Sequence, residues 1–451
     1  MAGLNCCHQL AKAGIKAEVF EASDRVGGRM YSVPGLFATA SDRVVELGGE
    51  FINSADEDLL GLIDELHLDL LDTWDETGSE LIWHDGERRS NDSMWESIIP
   101  IIDAADAELA ALASTDISYA NPAGAETLDN TSVATWLATH STSGRATWLV
   151  TTIMTTEFGL EATEQSVLNL LFYLGSFGTE YDERYRVDGG AGQVPDGLAQ
   201  LYADRLVTGR SATAITENTD GSYTVSFADG STEECTILIS ALPFSVLRTM
   251  TLDVALTDVK RKVIDELGYG TNAKLILPFA RRTWHDSDES GDTYSDTGLQ
   301  AGWDAWAALD GDTGAFTSFL GGTAGAQLAE LTDAERATEL LSQLELFWPG
   351  VQAEWLGELA RQVWTNVETA RGSYACYTLG QWTTIAGAEA EPVGNFFFCG
   401  EHTSWEFQGY MNGAAESGRR AAEEVIGLLS GTQRRARVVH ACRRRAWVAK
   451  A

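Results

Sequence analysis

At 451 residues the chain has room for about three domains of ordinary size, and its 44% apolar content suits a globular protein with a large core. A formal net charge of −36 excludes nucleic acid and anionic membranes as partners, because like charges repel, and favours small cations. No run reaches the roughly 18 apolar residues that a membrane span needs and no signal-peptide pattern opens the chain, so it reads as soluble and cytoplasmic, an exported form requiring a signal further upstream.

Residues 1–14 predict a helix with Leu4, Leu10 and Ala11 on its apolar face and Gly14 as its stop, followed by a strand from Lys16 to Glu21. In a dinucleotide-binding unit a strand and G-x-G-x-x-G precede such a helix, and an acid about 20 residues on holds the ribose hydroxyls. Gly3 stands in the place of the last glycine and Glu21 in the place of that acid. The strand and the first two glycines do not occur in this sequence. A start codon assigned too late, a fragment and a chain that has lost its cofactor are the three explanations, and the intact motifs downstream favour the first two. Gly27 and Gly28 let the backbone approach a phosphate that Arg29 can neutralise. Gly48 and Gly49 form a second glycine pair or a strand-ending bulge.

From Asp56 to about Ser176 the pattern turns helical, with helices expected around Leu59–Leu66, Ile98–Leu112, Val133–His140 and Trp148–Glu157. Gly189-Gly-Ala-Gly-Gln leads into a helix carrying Leu198, Leu201 and Leu206, and Gln193 reads most plainly as a helix-entry residue. Strands follow at Ala212–Thr216, Tyr223–Phe227 and Cys235–Ser240, the last one buried. Lys274 is the only charge in a strand from Asn272 to Phe279, either an edge residue reaching water or a buried functional group. Asp333–Phe347 is amphipathic, and Phe396–Cys399 predicts a strand covered on both faces. The helix expected from Tyr410 to Leu429 begins almost bare, with Gly413, Ala414, Ala415, Ser417 and Gly418, so its free N–H groups and dipole can face an anion or an electron-rich ring. Beyond Gly431 the chain holds seven basic residues and no acid, which predicts a disordered tail. Neither the six cysteines nor the seven histidines show metal-ligand spacing.

The run Gly400-Glu-His-Thr, Gly409-Tyr-Met-Asn-Gly-Ala and Ser417-Gly-Arg-Arg-Ala-Ala resembles the carboxyl-terminal flavin signature of the flavin amine oxidases, the monoamine oxidase family. The glycine pairs and Arg371-Gly-Ser-Tyr-Ala-Cys-Tyr-Thr carry the same resemblance. It implies an α/β fold with an FAD-binding Rossmann-like domain of the glutathione-reductase type, formed by residues 1–53, 180–271 and 389–430. An α+β substrate domain, 54–179 and 272–388, is then interleaved with it, and 431–451 is a basic disordered tail. By the same resemblance Gly3, Glu21, Gly28, Arg29, Gly48, Gly49, Ala212, Gly400, Glu401, Tyr410 and Met411 bind FAD, Glu401 at the ribityl chain or pyrophosphate and the Met411 N–H at the ring edge. Lys274 holds a water at the flavin N5, Gln193 lines the active site, and Tyr377 with Tyr410 forms an aromatic cage. Cys376 matches the cysteine that links covalently to the flavin; its other reading is a small buried hydrophobe. The implied reaction turns an amine and O2 into an imine, then an aldehyde, and H2O2, with a neutral-tailed monoamine as substrate and no metal. A polyamine or L-amino-acid oxidase and a non-catalytic flavin-fold protein are the alternatives, and a homodimer is compatible with the family.

Overall fold

A computed structural model describes residues 1–75, 78–176 and 182–431, so the expected tail beyond Gly431 lies outside the described residues. The largest sheet has seven strands in the order Ala360–Val363, Ala273–Phe279, Gly314–Leu320, Gln300–Asp304, Glu289–Ser295, Ser79–His84 and Glu87–Arg89. All neighbours are antiparallel except Glu289–Ser295 beside Ser79–His84. Every residue of Ala273–Phe279 is buried, and its two faces do different work. Leu275, Leu277 and Phe279 pack on Leu340, Leu344 and Phe347, which share one face of the helix Asp333–Phe347 by their spacing of three to four residues. Ile276 points the other way into a cluster with Phe37, Val45 and Trp306, and Lys274 shares that side. The helices Asn91–Ala111, Val133–His140, Gly144–Phe158 and Val167–Ser176 enclose a separate core around Ile101, Leu137, Leu149 and Leu171.

Several expectations change in detail. The helical stretch 56–176 also contains the hairpin Ser79–His84 and Glu87–Arg89, closed by Asp85-Gly86 with φ of 56° and 75°, a two-residue turn with positive φ at both positions. Leu206 lies in a strand, Leu206–Val207, rather than in the helix Gln193–Leu201. The strand expected from Cys235 to Ser240 is two pieces in different sheets: Thr232–Cys235 pairs with Tyr223–Phe227, and Leu238–Ser240 with Phe396–Phe398.

The first helix, Ala2–Lys12, lies along the long helix Met411–Leu429, where Leu10 and Cys6 pack on Ala421, Ala422 and Val425. A Cβ at Gly418 would sit 2.5 Å from the Ala2 carbonyl oxygen, so only glycine permits this crossing. Beside these helices stand two parallel strand pairs, Val19–Phe20 with Leu206–Val207 and Leu238–Ser240 with Phe396–Phe398. Residues 17–21 and 237–241 both line one large cavity, floored by Leu10, Val425 and Leu429. The two pairs thus flank a slot with apolar walls, shaped for one further strand between them.

An apolar five-residue β segment ending in Gly-x-Gly, fused ahead of Met1, is therefore expected to raise the melting temperature by about 5 °C or more and to increase FAD retention. A Ser/Gly extension of equal length is the control. Equal melting temperatures for the two fusions would overturn the expectation.

Candidate functional site

The cavity, of about 1770 Å³, continues from that slot across the carboxyl ends of the strand pairs to the seven-stranded sheet. Gly3, Glu21, Gly28, Arg29, Gly48, Gly49, Ala212, Lys274, Gly400, Glu401, Tyr410 and Met411, all expected site residues, lie on its wall. Gly28, at φ +60°, has no atom within 4 Å of where a Cβ would stand, so its backbone faces open space. At Gly48 a Cβ would be 1.9 Å from the Arg29 carbonyl oxygen, which lets the two glycine-bearing loops cross. The helix Met411–Leu429 starts at this wall with neither a side-chain cap nor an acid in its first turn. Its first N–H groups are therefore open to an acceptor in the cavity. An elongated space with a bare glycine backbone, an arginine and an uncapped helix start fits a dinucleotide with a flat ring, as FAD requires.

Glu401 organises this region. Its buried carboxylate accepts from Arg29 Nη1 at 2.8 Å, from the Ala375 N–H at 3.3 Å and from the Gly409 N–H at 2.8 Å. Oε1 takes two of these donors and Oε2 one, so the carboxylate keeps acceptor capacity while it lies on the cavity wall.

Lys274 is buried, which removes the edge reading. Its Nζ donates to the Glu46 carbonyl at 3.2 Å, the Gly48 carbonyl at 2.7 Å and Glu50 Oε2 at 2.5 Å, so all three hydrogens are in use and none is left over for a water. Glu50 Oε1 also accepts from Trp303 Nε1 at 2.7 Å and lies 3.4 Å from Arg186 Nη2. One carboxylate thus balances two buried cations beside the second glycine pair.

Three expected residues do not reach the cavity wall. Gln193 folds back on its own turn, donating to the Asp188 carbonyl at 2.5 Å, and is a helix-entry residue. Cys376 is buried with its sulfur 3.4 Å from Asn169 Nδ2, and burial pushes its thiol far up. Tyr377 donates its hydroxyl to Glu389 at 2.9 Å and packs on Trp382. Tyr374 lines the cavity instead, beside Tyr410, because the bridge between Tyr269 and Ala375 turns the segment there. The sequence offers tyrosines on both sides of Cys376 and no periodic signal chooses between them, since residues 371–378 form no strand. Glu157, Tyr294, Trp303 and Phe319, also on the wall, carry no motif in the sequence, while Glu50 and Arg186, on the wall as well, stand beside the glycine motifs at 48–49 and 189–193.

A family model for flavin containing amine oxidoreductases matches residues 1–426. The probable flavin-containing monoamine oxidase A of Dictyostelium discoideum is 25% identical over 443 residues, covering 94% of this chain and 95% of that protein. The putrescine oxidase of Kocuria rosea is 26% identical over 478 residues, covering 96% and 95%. The cyclohexylamine oxidase of Brevibacterium oxydans superposes with a TM-score of 0.83 at 22% identity, covering 95% of this chain and 97% of that one, which shows a shared fold. Among the described residues no helix is long and apolar enough to cross a membrane.

Lys274→Met leaves Glu50 with one cation instead of two and is expected to cost about 3 kcal/mol of stability in denaturant unfolding. Adding Glu50→Gln should cost clearly less than the sum of the two single changes. Strict additivity would show that the contact carries no coupling.

Proposed function

Because the chain belongs to the flavin-containing amine oxidoreductases, we propose that it oxidises a small amine beside Tyr374, Tyr410 and Lys274, using FAD and O2. The observation that carries this reading is one continuous cavity, joining a cradle of bare glycine backbone and an open helix start to an aromatic wall with a fixed positive charge. Bound FAD supplies two-electron acceptance from the carbon bearing the amine and reoxidation by O2, so the products are an imine, its hydrolysis aldehyde and H2O2.

Glu21, Gly3 and Ala212 line the end suited to the adenosine, and Gly28, Arg29, Gly48, Gly49 and Gly400 the stretch suited to the diphosphate. The Met411 N–H, at the positive end of a 19-residue helix, favours electron density on a ring edge. Lys274 contributes a buried positive charge held in place by Glu46, Gly48 and Glu50, the feature expected to assist electron transfer to O2. Tyr374 and Tyr410 take the place of the expected Tyr377 and Tyr410 pair, and aromatic faces there orient an amine and exclude water. With Cys376 off the wall, FAD is held without a covalent bond. The division into 1–53, 180–271 and 389–430 against 54–179 and 272–388 is supported by the sheets: both parallel pairs fall in the first set and all seven strands of the largest sheet in the second.

A carboxylate-bearing substrate finds little welcome, because Lys274 and Arg186, the cations at the aromatic end, are both engaged by Glu50. A peroxide-coupled screen of the FAD-loaded protein against tyramine, phenethylamine, putrescine, spermidine and L-amino acids is expected to respond to amines. An amino acid as the best substrate would reverse the assignment.

Acid precipitation should leave all flavin in the supernatant, and Cys376→Ala should bind as much FAD as the unmodified protein. A yellow pellet would restore the covalent bond. Tyr374→Ala should lower kcat/KM by about tenfold, while Tyr377→Phe changes it by less than about twofold.

A further inference from the structure

The last turn of the helix Gly144–Phe158 meets the aromatic wall at two consecutive residues. The Tyr374 hydroxyl donates to the Thr156 carbonyl oxygen at 3.2 Å, and the Tyr410 hydroxyl donates to Glu157 Oε1. The Asn272 side-chain amide donates to the same Thr156 carbonyl at 2.6 Å, and its Oδ1 accepts from Ser373 Oγ at 2.7 Å. Tyr374 is thus held twice, through its own hydroxyl and through the residue before it. A helix leaves its final carbonyl oxygens without partners inside the helix, which frees Thr156 for this task.

Close backbone contacts keep this turn in place. Gly159 ends the helix at φ 70°, and a Cβ there would stand 2.0 Å from Asn272 Oδ1. At Gly270 a Cβ would stand 2.6 Å from the Phe158 carbonyl oxygen and 2.5 Å from Ser373 Oγ. The Thr271 N–H donates to the Gly159 carbonyl at 2.8 Å, and the Gly270 N–H to the Tyr374 carbonyl at 2.8 Å. The helix end, the residues that lead into the strand Ala273–Phe279 and the segment carrying Tyr374 therefore form one joint. Tyr410, which precedes the helix Met411–Leu429, is tied to that joint by the Glu157 carboxylate. Burial, and then the charge of Glu157, push the Tyr374 hydroxyl well above its ordinary value, so it stays protonated as the donor to Thr156. A tyrosine whose hydroxyl is engaged loses the freedom to swing about its side-chain bonds, and its ring keeps one plane.

We propose that Glu157 is a positioning residue for amine oxidation: its bond to Tyr410, beside the Thr156–Tyr374 bond one residue earlier, sets the tilt of the two rings that orient the amine. The proposal rests on the amine-oxidising reading above and deepens it. Rings of fixed plane hold an amine in one orientation, and loss of that orientation lowers turnover more than it lowers binding. A carboxylate serves better here than a neutral acceptor, because a charge-assisted hydrogen bond is shorter and stronger. Leucine and glutamine both fill the space of a glutamate side chain, but only glutamine keeps an acceptor oxygen.

The test is a double-mutant cycle on the FAD-loaded protein with phenethylamine as the probe, read by peroxide formation. Glu157→Leu and Tyr410→Phe are each expected to lower kcat/KM by about fivefold, mostly through kcat. The double variant should lose no more than the worse single one, because both changes cut the same bond. Glu157→Gln should recover most of the loss, a rescue that reads the bond rather than the packing. Losses that multiply, or a Tyr410→Phe variant with full activity, overturn the proposal and leave the oxidase reading standing. Where melting curves show that Glu157→Leu does not fold, the Tyr410→Phe result decides alone. Absence of turnover in the unmodified protein overturns the oxidase reading, and calorimetric binding of phenethylamine under anaerobic conditions then decides the rest. The same non-additive pattern in Kd supports the tie at an amine site; additive losses, or no binding at all, overturn it.

Discussion

Glu401 is one carboxylate with three anchors, and the geometry of the cavity follows from them. Through Arg29 it fixes the first glycine loop, through the Ala375 N–H the segment that presents Tyr374, and through the Gly409 N–H the entry to the helix that starts at Met411. The first glycine loop lies hundreds of residues from the other two pieces in sequence. A buried charge of this kind is tolerated only because each of its oxygens has a donor. Arg29 in turn also donates to the Ser373 carbonyl at 2.5 Å, so the arginine and the glutamate close the same ring of loops from two sides.

Glu50 repeats the arrangement at the other end of the cavity. It gathers Lys274 from the large sheet, Arg186 from the strand Tyr185–Val187 and Trp303 from the strand Gln300–Asp304. Two cations meet one anion next to Gly48 and Gly49, and Glu183 and Asp292 on the same wall lie close enough to Arg186 to feel its charge. The wall thus carries charges of both signs, although the chain as a whole is strongly acidic. Net charge alone describes long-range attraction of cations; the local pairing decides where each charge of a ligand can rest.

What the sequence revealed depended on the range of the signal. The helices Val133–His140 and Asp333–Phe347 appear at their expected bounds, because a serine or threonine cap and a stripe of apolar residues are local features. The hairpin at 79–89 was equally local in its Asp85-Gly86 turn, but Glu80, His84, Glu87, Arg88 and Arg89 obscured the alternation on either side. Strands such as Glu289–Ser295 are rich in serine, glycine and aspartate, and only their place inside a seven-stranded sheet makes them strands. At the site, Gly28, Gly48 and Met411, which the motifs singled out for their backbone, lie on the cavity wall. Side chains that act by facing a shared space were not, so Tyr374 was passed over for Tyr377, and Glu157 and Glu183 carried no sign at all. Which side of an irregular segment points inward is set by distant packing, such as the bridge from Ala375 to Tyr269.

The crossing of the first and last helices has a consequence for how the molecule comes into being. The Asn5 side-chain amide donates to the Ala415 carbonyl oxygen at 2.6 Å, a contact spanning 410 residues, and Gly418 lies against Ala2. While the chain is still emerging from the ribosome, the partner of its opening helix does not yet exist, so that helix must wait with Leu4, Cys6 and Leu10 uncovered. The wall that both helices give to the cavity is complete only once the helix Met411–Leu429 has folded. A chain cut short in the helix Met411–Leu429 thus uncovers the apolar face of the helix Ala2–Lys12.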